Sequence, residues 1–508
     1  MIAMRWLLPL GLSGASMLAG CTMGPDFERP APPAASGHVA AGEAQIQTDA
    51  PASAMGEGPG PRWWEAFGSA GLNALVDRAM ANNHSLAASN ATLERARQRI
   101  AAVAGTRLPQ VDAQARVERQ EVNLAGFGFD PAAFGVGSGN PVFNLYTVGG
   151  GISYDLDLFG RKRRQVEQAA AMAEAQLHQT EAAHLTIAGR VVNQVLTIAA
   201  IRARIATANA VLAEDQRTVD LTDARRRAGK GTMVEVLNAE SQLAEDRGAI
   251  PPLEQELAEA RHMLAILIGI SPAELGATDF DLAAFTLPQS VPVTLPSALV
   301  HKRPDILQAE ADLHAAVAGV GVAMASLYPD ITLGANIAQG APHIEDVLDS
   351  GFRGFDIFAG LTAPIFHGGT LKAEKRGAQA EARAVAATYR QTVVEAFGQV
   401  ADLLDALQND AHSVANQQQA VTVAEHSRDL SRRSFQVGNS GILQVLDSDR
   451  LYQRARSALV EAQARQFLDV ARLYVATAGG WTGMGNAQEE AHGDARAALT
   501  LSGGANRN

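Results

Sequence analysis

The feature that most limits how this chain can fold is where its prolines are missing. The 508 residues contain 21 prolines, yet none lies between Val142 and Ile250 and none follows Pro364. An interior proline costs a helix ~3 kcal/mol, so both spans are free to form helices of unusual length. In the first span Ile187, Val191, Val195, Ile198, Ile201, Ile205, Ala208 and Leu212 recur in steps of three and four, the seam of a packed helix. From Arg161 to about Arg227 that helix would extend ~100 Å at ~1.5 Å per residue. Leu371 to about Gln436 predicts a second helix of the same length, rich in Ala and Gln. Each span ends at a glycine suited to reversing the chain, Gly229 and Gly438.

The two spans belong to a pattern that occurs twice. Asn83-His84-Ser85-Leu86, a helical run and Leu108-Pro109-Gln110-Val111 correspond, at one fixed offset, to Arg303-Pro304-Asp305-Ile306, a second run and Tyr328-Pro329-Asp330-Ile331. Gly229 with Val236-Leu237 reappears as Gly438 with Val445-Leu446. Side-chain identity is low, so duplication is inferred from order and spacing. The expected organisation is a signal peptide over 1–20, a lipidated tether over 21–62, a first repeat over 63–296, a second over 297–480 and a tail over 481–508. The first repeat reads as a helix, a β-hairpin about 107–158, a long helix 160–228, a helix 232–269 and an equatorial connection. The second reads as a helix, a β-hairpin about 327–366, a long helix 369–437 and a helix 441–478.

In the strand stretches apolar and polar residues trade faces with period two, as in Val111-Asp112-Ala113-Gln114-Ala115-Arg116-Val117-Glu118. The segments Gly126 to Pro141 and Ala341 to Gly354 read as exposed loops. Two hairpins supply four strands, and four cannot close a barrel. An open edge in lipid would leave backbone groups unpaired at several kcal/mol each. If the strands span a membrane, copies must join: a dimer of eight strands fills its interior, whereas a trimer of twelve leaves a lumen.

The N-terminus points to a membrane as well. Arg5 precedes the apolar run Trp6 to Leu18, which is too short for a bilayer span and reads as a signal peptide. Leu18-Ala19-Gly20-Cys21 looks like a bacterial lipobox, and Cys21, the only cysteine, would carry the lipid. Thr22 stands where an Asp would resemble an inner-membrane retention signal, which favours the outer membrane. With one cysteine no internal disulfide forms, and a net charge of -12 leaves no general basic field for nucleic acid.

Motifs for chemistry are missing. The sequence has no HExxH, CxxC, P-loop or GxSxG, and His367 beside Gly368-Gly369 lacks spaced partners for a metal. No cofactor is expected, and no catalytic or metal-binding residues. Two alternatives to a conduit stay open: a periplasmic structural coiled-coil lipoprotein without a pore, and a lipid-anchored hydrolase.

The lipobox, Asp155-Leu156-Asp157-Leu158-Phe159-Gly160, Arg303-Pro304-Asp305-Ile306 with Ala309-Glu310, Tyr328-Pro329 and Pro364-Ile365-Phe366 together resemble the TolC-like outer-membrane efflux proteins, in particular the lipidated NodT and OprM type. The resemblance runs from about Trp63 to Trp481. It implies an α+β membrane protein: a homotrimer with a twelve-stranded outer-membrane β-barrel, continuous with a periplasmic α-helical coiled-coil barrel. A mixed equatorial belt would use residues around 63–80, 270–298 and the C-terminal tail. Its partners would be outer-membrane lipid, a periplasmic adaptor (membrane fusion) protein and an inner-membrane transporter of the resistance-nodulation-division type. The duct would conduct small molecules (drugs, organic acids or metal ions) passively, and the tips would lie farthest from the outer membrane.

By the same resemblance Gly438 to Asp447 matches the segment that carries inward carboxylates. Asp447 falls on one such position, and Gln444 on the other, where an acid is familiar. Three copies of Asp447 near a threefold axis would favour cations and oppose tight closure. The plain alternative is that Asp447 and Asp449 are solvated helix-surface acids. Gly229, Lys230, Gly438 and Asn439 are the candidate adaptor contacts, the glycines doubling as turn formers. Phe435 is a candidate for holding the closed state or for ordinary core packing.

Overall fold

The computed structural model describes residues 22–31, 52–56, 58–123, 142–276, 279–349, 351 and 353–477. The signal peptide, Cys21, the loop Gly126 to Pro141 and the tail 481–508 lie outside the described residues. In chain order the strands are β1 Ala52–Gly56, β2 Gln110–Glu121, β3 Val142–Asp155, β4 Ser290–Thr294, β5 Asp330–Ala341 and β6 Arg353–Thr362. The helices are α1 Ala70–Asn82, α2 His84–Gly105, α3 Arg161–Arg227, α4 Met233–Gly248, α5 Ile250–Leu267, α6 Pro296–Leu299, α7 Pro304–Ala325, α8 Thr370–Gln436 and α9 Ile442–Thr477. Both α3 and α8 have 67 residues, which the absence of proline permits.

The chain divides into two compact units. One takes residues 94–174 and 310–388 with the segment ending at Arg29; the other takes 30–93, 175–309 and 389 onward. In the first, β2, β3, β5 and β6 form an antiparallel sheet in that order, with β2 and β6 at its edges. The register puts Val111 opposite Ile152, Ala115 opposite Val148, Ile337 opposite Phe355 and Ala335 opposite Ile357. Directly paired residues share a face, so these apolar side chains gather on one side. That side is open: Val111 is 74% exposed, Phe355 80% and Ile357 79%. The opposite side holds Asp112, Gln114, Arg116 and Glu118 of β2, Asn336 of β5 and Asp356 of β6. There the Asn336 amide donates to Asp356 Oδ2 at 3.1 Å.

The same unit seats the first described residues of the tether, which the sequence left as a featureless extension. Met23 N–H donates to Phe159 O at 3.2 Å, Arg164 donates to Asp26 at 2.7 Å and Arg29 to Glu310 at 2.6 Å. Phe27 stacks on His314 with ring centroids 4.5 Å apart. Gly160 has φ +76, and a Cβ there would come within 2.9 Å of Thr22. Polar partners, not a periodic pattern, fix this segment, which is why periodicity missed it.

In the second unit the α3 seam supplies the core: Val191, Val192, Val195, Ile198 and Ala199 are fully buried. This apolar stretch is long enough by composition to cross a bilayer, yet it packs against Trp64, Phe67, Leu264, Val470 and Leu473. Trp63 stacks on Tyr474 at 5.5 Å, closing the aromatic end of that core. Beside it β1 and β4 pair in parallel, a small sheet that the sequence did not indicate. Five-residue strands with prolines nearby carry little alternation.

The expected single helix 232–269 is corrected: the structure breaks it into α4 and α5 at Ala249, with prolines at the first positions of α5. Pro251 and Pro252 lack the N–H groups that would continue α4, but proline is welcome in a first turn. The segment ahead of the first hairpin is likewise two helices. Asn83 interrupts it, its Oδ1 accepting from the Ser85 and Leu86 N–H groups at 2.9 and 3.1 Å.

Two glycines make opposite predictions. Gly269 ends α5 with φ +76, and a Cβ there would sit 2.2 Å from Asn82 O. Gly248 ends α4 with nothing near its missing Cβ. Gly269→Ala should lower unfolding stability by about 1–3 kcal/mol, whereas Gly248→Ala should leave it unchanged or raise it by up to about 1 kcal/mol. Urea titration of the purified protein in detergent checks both signs.

Candidate functional site

The two tips lie in the second unit and are built alike. At the end of α3, Gly229 N–H donates to Arg226 O at 2.9 Å and Lys230 N–H to Arg225 O at 2.9 Å, with Gly229 at φ +71. At the end of α8, Gly438 N–H donates to Phe435 O at 3.1 Å and Asn439 N–H to Ser434 O at 2.8 Å, with Gly438 at φ +82. This paired pattern around a left-handed residue satisfies the last helix carbonyls and reverses the chain. Thr232 then restarts the first hairpin: its Oγ1 accepts from Glu235 N–H, while Glu235 Oε2 accepts from Thr232 N–H.

Beneath the second tip Phe435, Ile442, Val445 and Leu446 form a small buried cluster. Phe435 is 1% exposed, so it serves packing in the protomer. It also carries a link between hairpins: the Arg225 guanidinium of α3 sits 4.3 Å over its ring and donates to Phe435 O at 3.1 Å. The other candidates stay at the surface. Gly229, Lys230, Gly438, Asn439, Gln444 and Asp447 are all exposed. Gln444 and Asp447, three residues apart, lie one turn from each other along α9, and neither forms an ion pair or side-chain hydrogen bond among the described residues.

Asp449 corrects an expectation. It is not a solvated surface acid but 5% exposed, paired with Arg432 Nη2 at 3.0 Å. Arg432 of α8 also donates to Glu214 of α3 at 2.6 Å, so one guanidinium joins three helices. Burial pushes the Asp449 carboxyl above its ordinary range, against the pull of Arg432 and Arg428. Close by, Asp215 of α3 reaches the Asp246 carboxyl of α4; burial, the shared hydrogen bond and the repulsion of Asp246 and Asp449 push Asp215 up to about 7. A similar pair joins Asp410 of α8 to Asp469 of α9, where burial first, and then the pairing, push Asp410 up to about 6.

Reading the sequence alone passes over Arg225, Arg432, Glu214, Asp215 and Asp410. The signal was there. The steps of three and four through Ile201, Ile205, Ala208 and Leu212 continue onto Asp215, Thr218 and Thr222, all three buried. A polar residue on a buried seam marks an internal network, whereas the same residue on the outer face is ordinary.

Comparison with known proteins bears on the chain as a whole. The family model for outer membrane efflux proteins matches residues 75–270 and 295–479. The pyoverdine export outer membrane protein OpmQ of Pseudomonas putida is 31% identical over 475 residues, covering 94% of this chain and 97% of OpmQ. Nodulation protein T of Rhizobium leguminosarum bv. viciae is 28% identical over 480 residues, covering 92% of each. The solved structure of the outer-membrane channel OprN superposes with a TM-score of 0.80 at 27% identity, covering 91% of this chain and 100% of that one. These are channels and export components rather than an enzyme family. The chain therefore belongs to the outer membrane efflux protein family, and its place is the outer membrane, as the channel component of an efflux system.

Proposed function

We propose that three copies of this chain join their sheets into one twelve-stranded barrel and their long helices into a periplasmic duct, through which small molecules pass without catalysis. The observation that carries this reading is the sheet itself. Its four strands have one exposed apolar face, one polar face and, among the described residues, two edges without a strand partner, at β2 and β6. In hydrocarbon each unpaired backbone group costs several kcal/mol, and identical copies remove the cost by pairing edge to edge. The apolar side then meets lipid and the polar side, with Asp112, Arg116, Glu118 and Asp356, lines water. The repeated order of helix, hairpin, long helix and helix supports descent of the two halves from one duplicated unit. A lipid on Cys21 would add a second attachment to the same membrane.

At the tips, Asp447 contributes one carboxylate per protomer to a ring that favours cations, with Gln444 softening that charge one turn away. Met233, Val234, Leu237, Val437 and Leu443 are exposed apolar residues around the two turns. With Gly229, Lys230, Gly438 and Asn439 they fit a docking surface for a periplasmic adaptor, which hands over cargo from an inner-membrane transporter of the resistance-nodulation-division type. The export named for OpmQ is of pyoverdine, an instance of the small-molecule cargo proposed here.

Purified in detergent, the protein should migrate as a trimer that boiling dissociates, and in a planar bilayer it should pass discrete current steps. A monomer that stays soluble without detergent would overturn the duct. Asp447→Ala should reduce cation preference or raise basal conductance, and an unchanged current removes Asp447 from the closure. Arg225→Ala should raise basal conductance, since it removes a cation–π contact and a charged hydrogen bond worth roughly 1–3 kcal/mol together. Ile357→Arg on the apolar face should cost about 2–4 kcal/mol if the residue lies near mid-membrane, read as loss of the boil-sensitive trimer.

A further inference from the structure

Among the described residues β2 and β6 each have a neighbouring strand on one side only. Inside the chain the sheet already holds one junction between hairpins, where β3 of the first pairs with β5 of the second. The two hairpins correspond residue for residue. Gln110 and Asp330 open β2 and β5, 220 residues apart, and their partners Ser153 and Thr362 on β3 and β6 are 209 residues apart. The same 209 residues separate Arg161 from Thr370, where α3 and α8 begin, and Gly229 from Gly438, where both reverse. A spacing kept without a gap from hairpin to tip makes β6 the counterpart of β3, and β2 the counterpart of β5.

Within the chain Ser153 lies opposite Gly334, Gly151 opposite Asn336 and Tyr146 opposite Ala341. Carried over by the two spacings, these pairs set Thr362 opposite Gln114 of another copy, Gly360 opposite Arg116 and Phe355 opposite Glu121. Every residue from Thr362 to Phe355, and from Gln114 to Glu121, is already extended in β6 or β2. The faces agree in this register, because Leu361 falls opposite Ala115 and Ala359 opposite Val117, apolar on apolar. A slip of one residue would set Leu361 against Gln114 or Arg116. A slip of two keeps the faces but sets Asp356 against Glu118 in one direction and against Val122 in the other. Unslipped, Asp356 meets Gln120, an amide like the Asn336 that donates to Asp356 Oδ2 at 3.1 Å within the sheet. Pro364 fits as well. Its counterpart is Asp155, and the next residue, Leu156, donates its N–H to Ile331 O at 3.0 Å across the β3–β5 junction. Amides alternate sides along a strand, so the position of Pro364 points no N–H at the next copy and proline there removes no ladder bond.

We infer that β6 of one copy pairs antiparallel with β2 of a second copy in this register, so that the junction between copies repeats the junction inside each copy. This rests on the duct reading given above and goes further, since edge pairing alone leaves the register free. The occupant of the β6 edge is a second copy of this chain because the residues that match it in face and charge are those of the chain's own β2. Within one protomer the two edges cannot meet, being three strand spacings, about 14 Å, apart across the sheet.

The test is disulfide trapping in the full chain. Gln114 and Thr362 are exposed and lie on the polar face, so cysteines there leave the packing of the protomer intact. After oxidation, the Gln114→Cys and Thr362→Cys double variant should run on a boiled, non-reducing gel as a covalent species of three chain masses, and a reducing agent should return it to one. Arg116→Cys with Gly360→Cys should do the same, and a Cβ at Gly360 meets nothing nearer than 3.9 Å. Thr362→Cys combined with Asp112→Cys or with Arg116→Cys, the registers slipped by two, should give several-fold less linked product, because those positions stand roughly 7–8 Å apart, at or beyond the reach of a disulfide. Every variant retains Cys21, and the single variants, which should stay at one chain mass, control for links through it. Preferential linking of a slipped pair overturns the register, and so does a boil-sensitive trimer in which neither matched pair links; the duct reading survives both results. A wild type that migrates as a monomer without boiling overturns the duct reading and the register with it.

Discussion

Unpaired backbone groups cannot be left in hydrocarbon, and the sheet of this protein leaves two rows of them. The edges at β2 and β6 are the outer strands of an antiparallel ladder whose apolar face is already exposed. A soluble protein would cover that face with a helix or break its edges with charge. Here Val111, Val117, Phe355, Ile357 and Leu361 stay uncovered by the other described residues. In the trimer proposed here, lipid on one side and copies of the same chain at the edges would satisfy both demands at once, and a water-lined interior would follow from the polar face.

The helical unit answers a different constraint. Long helices packed along an apolar seam hold together over their whole length, which is poor material for anything that must open. The seam of α3 is apolar through Val191, Val195 and Ile198 and then turns polar at Asp215, Thr218 and Thr222 on the way to the tip. Polar groups on a buried seam depend on partners, and partners can be exchanged or protonated. Arg432, shared between Glu214 and Asp449, and Arg225, seated on Phe435, tie the hairpins through polar contacts rather than apolar packing.

How much was legible in advance differs by element. The long helices α3 and α8 were readable because proline and periodicity are local properties. The hairpins were readable for the same reason, since alternation shows in β2 without any partner. The break between α4 and α5 was also local, and Pro251-Pro252 should have forced it. Less visible were the parallel pairing of β1 with β4, two five-residue strands distant in sequence, and the seating of Met23 to Arg29, held by single long-range hydrogen bonds and ion pairs with no period to betray them.

At the tips the division is sharper. Gly229 and Gly438 announce themselves, because only glycine takes the left-handed turn at low cost, and Asp447 stands out by its place after the turn. Sequence by itself determined the kind of elements, their order and where the chain reverses, since these depend on neighbours along the backbone. Only tertiary structure decided that Asp449 is buried and Asp447 is not, that Phe435 carries Arg225, and that Arg432 joins Glu214 to Asp449. Burial and charge pairing depend on which helix face meets which across space, and that distance is not written in the spacing of residues along one chain.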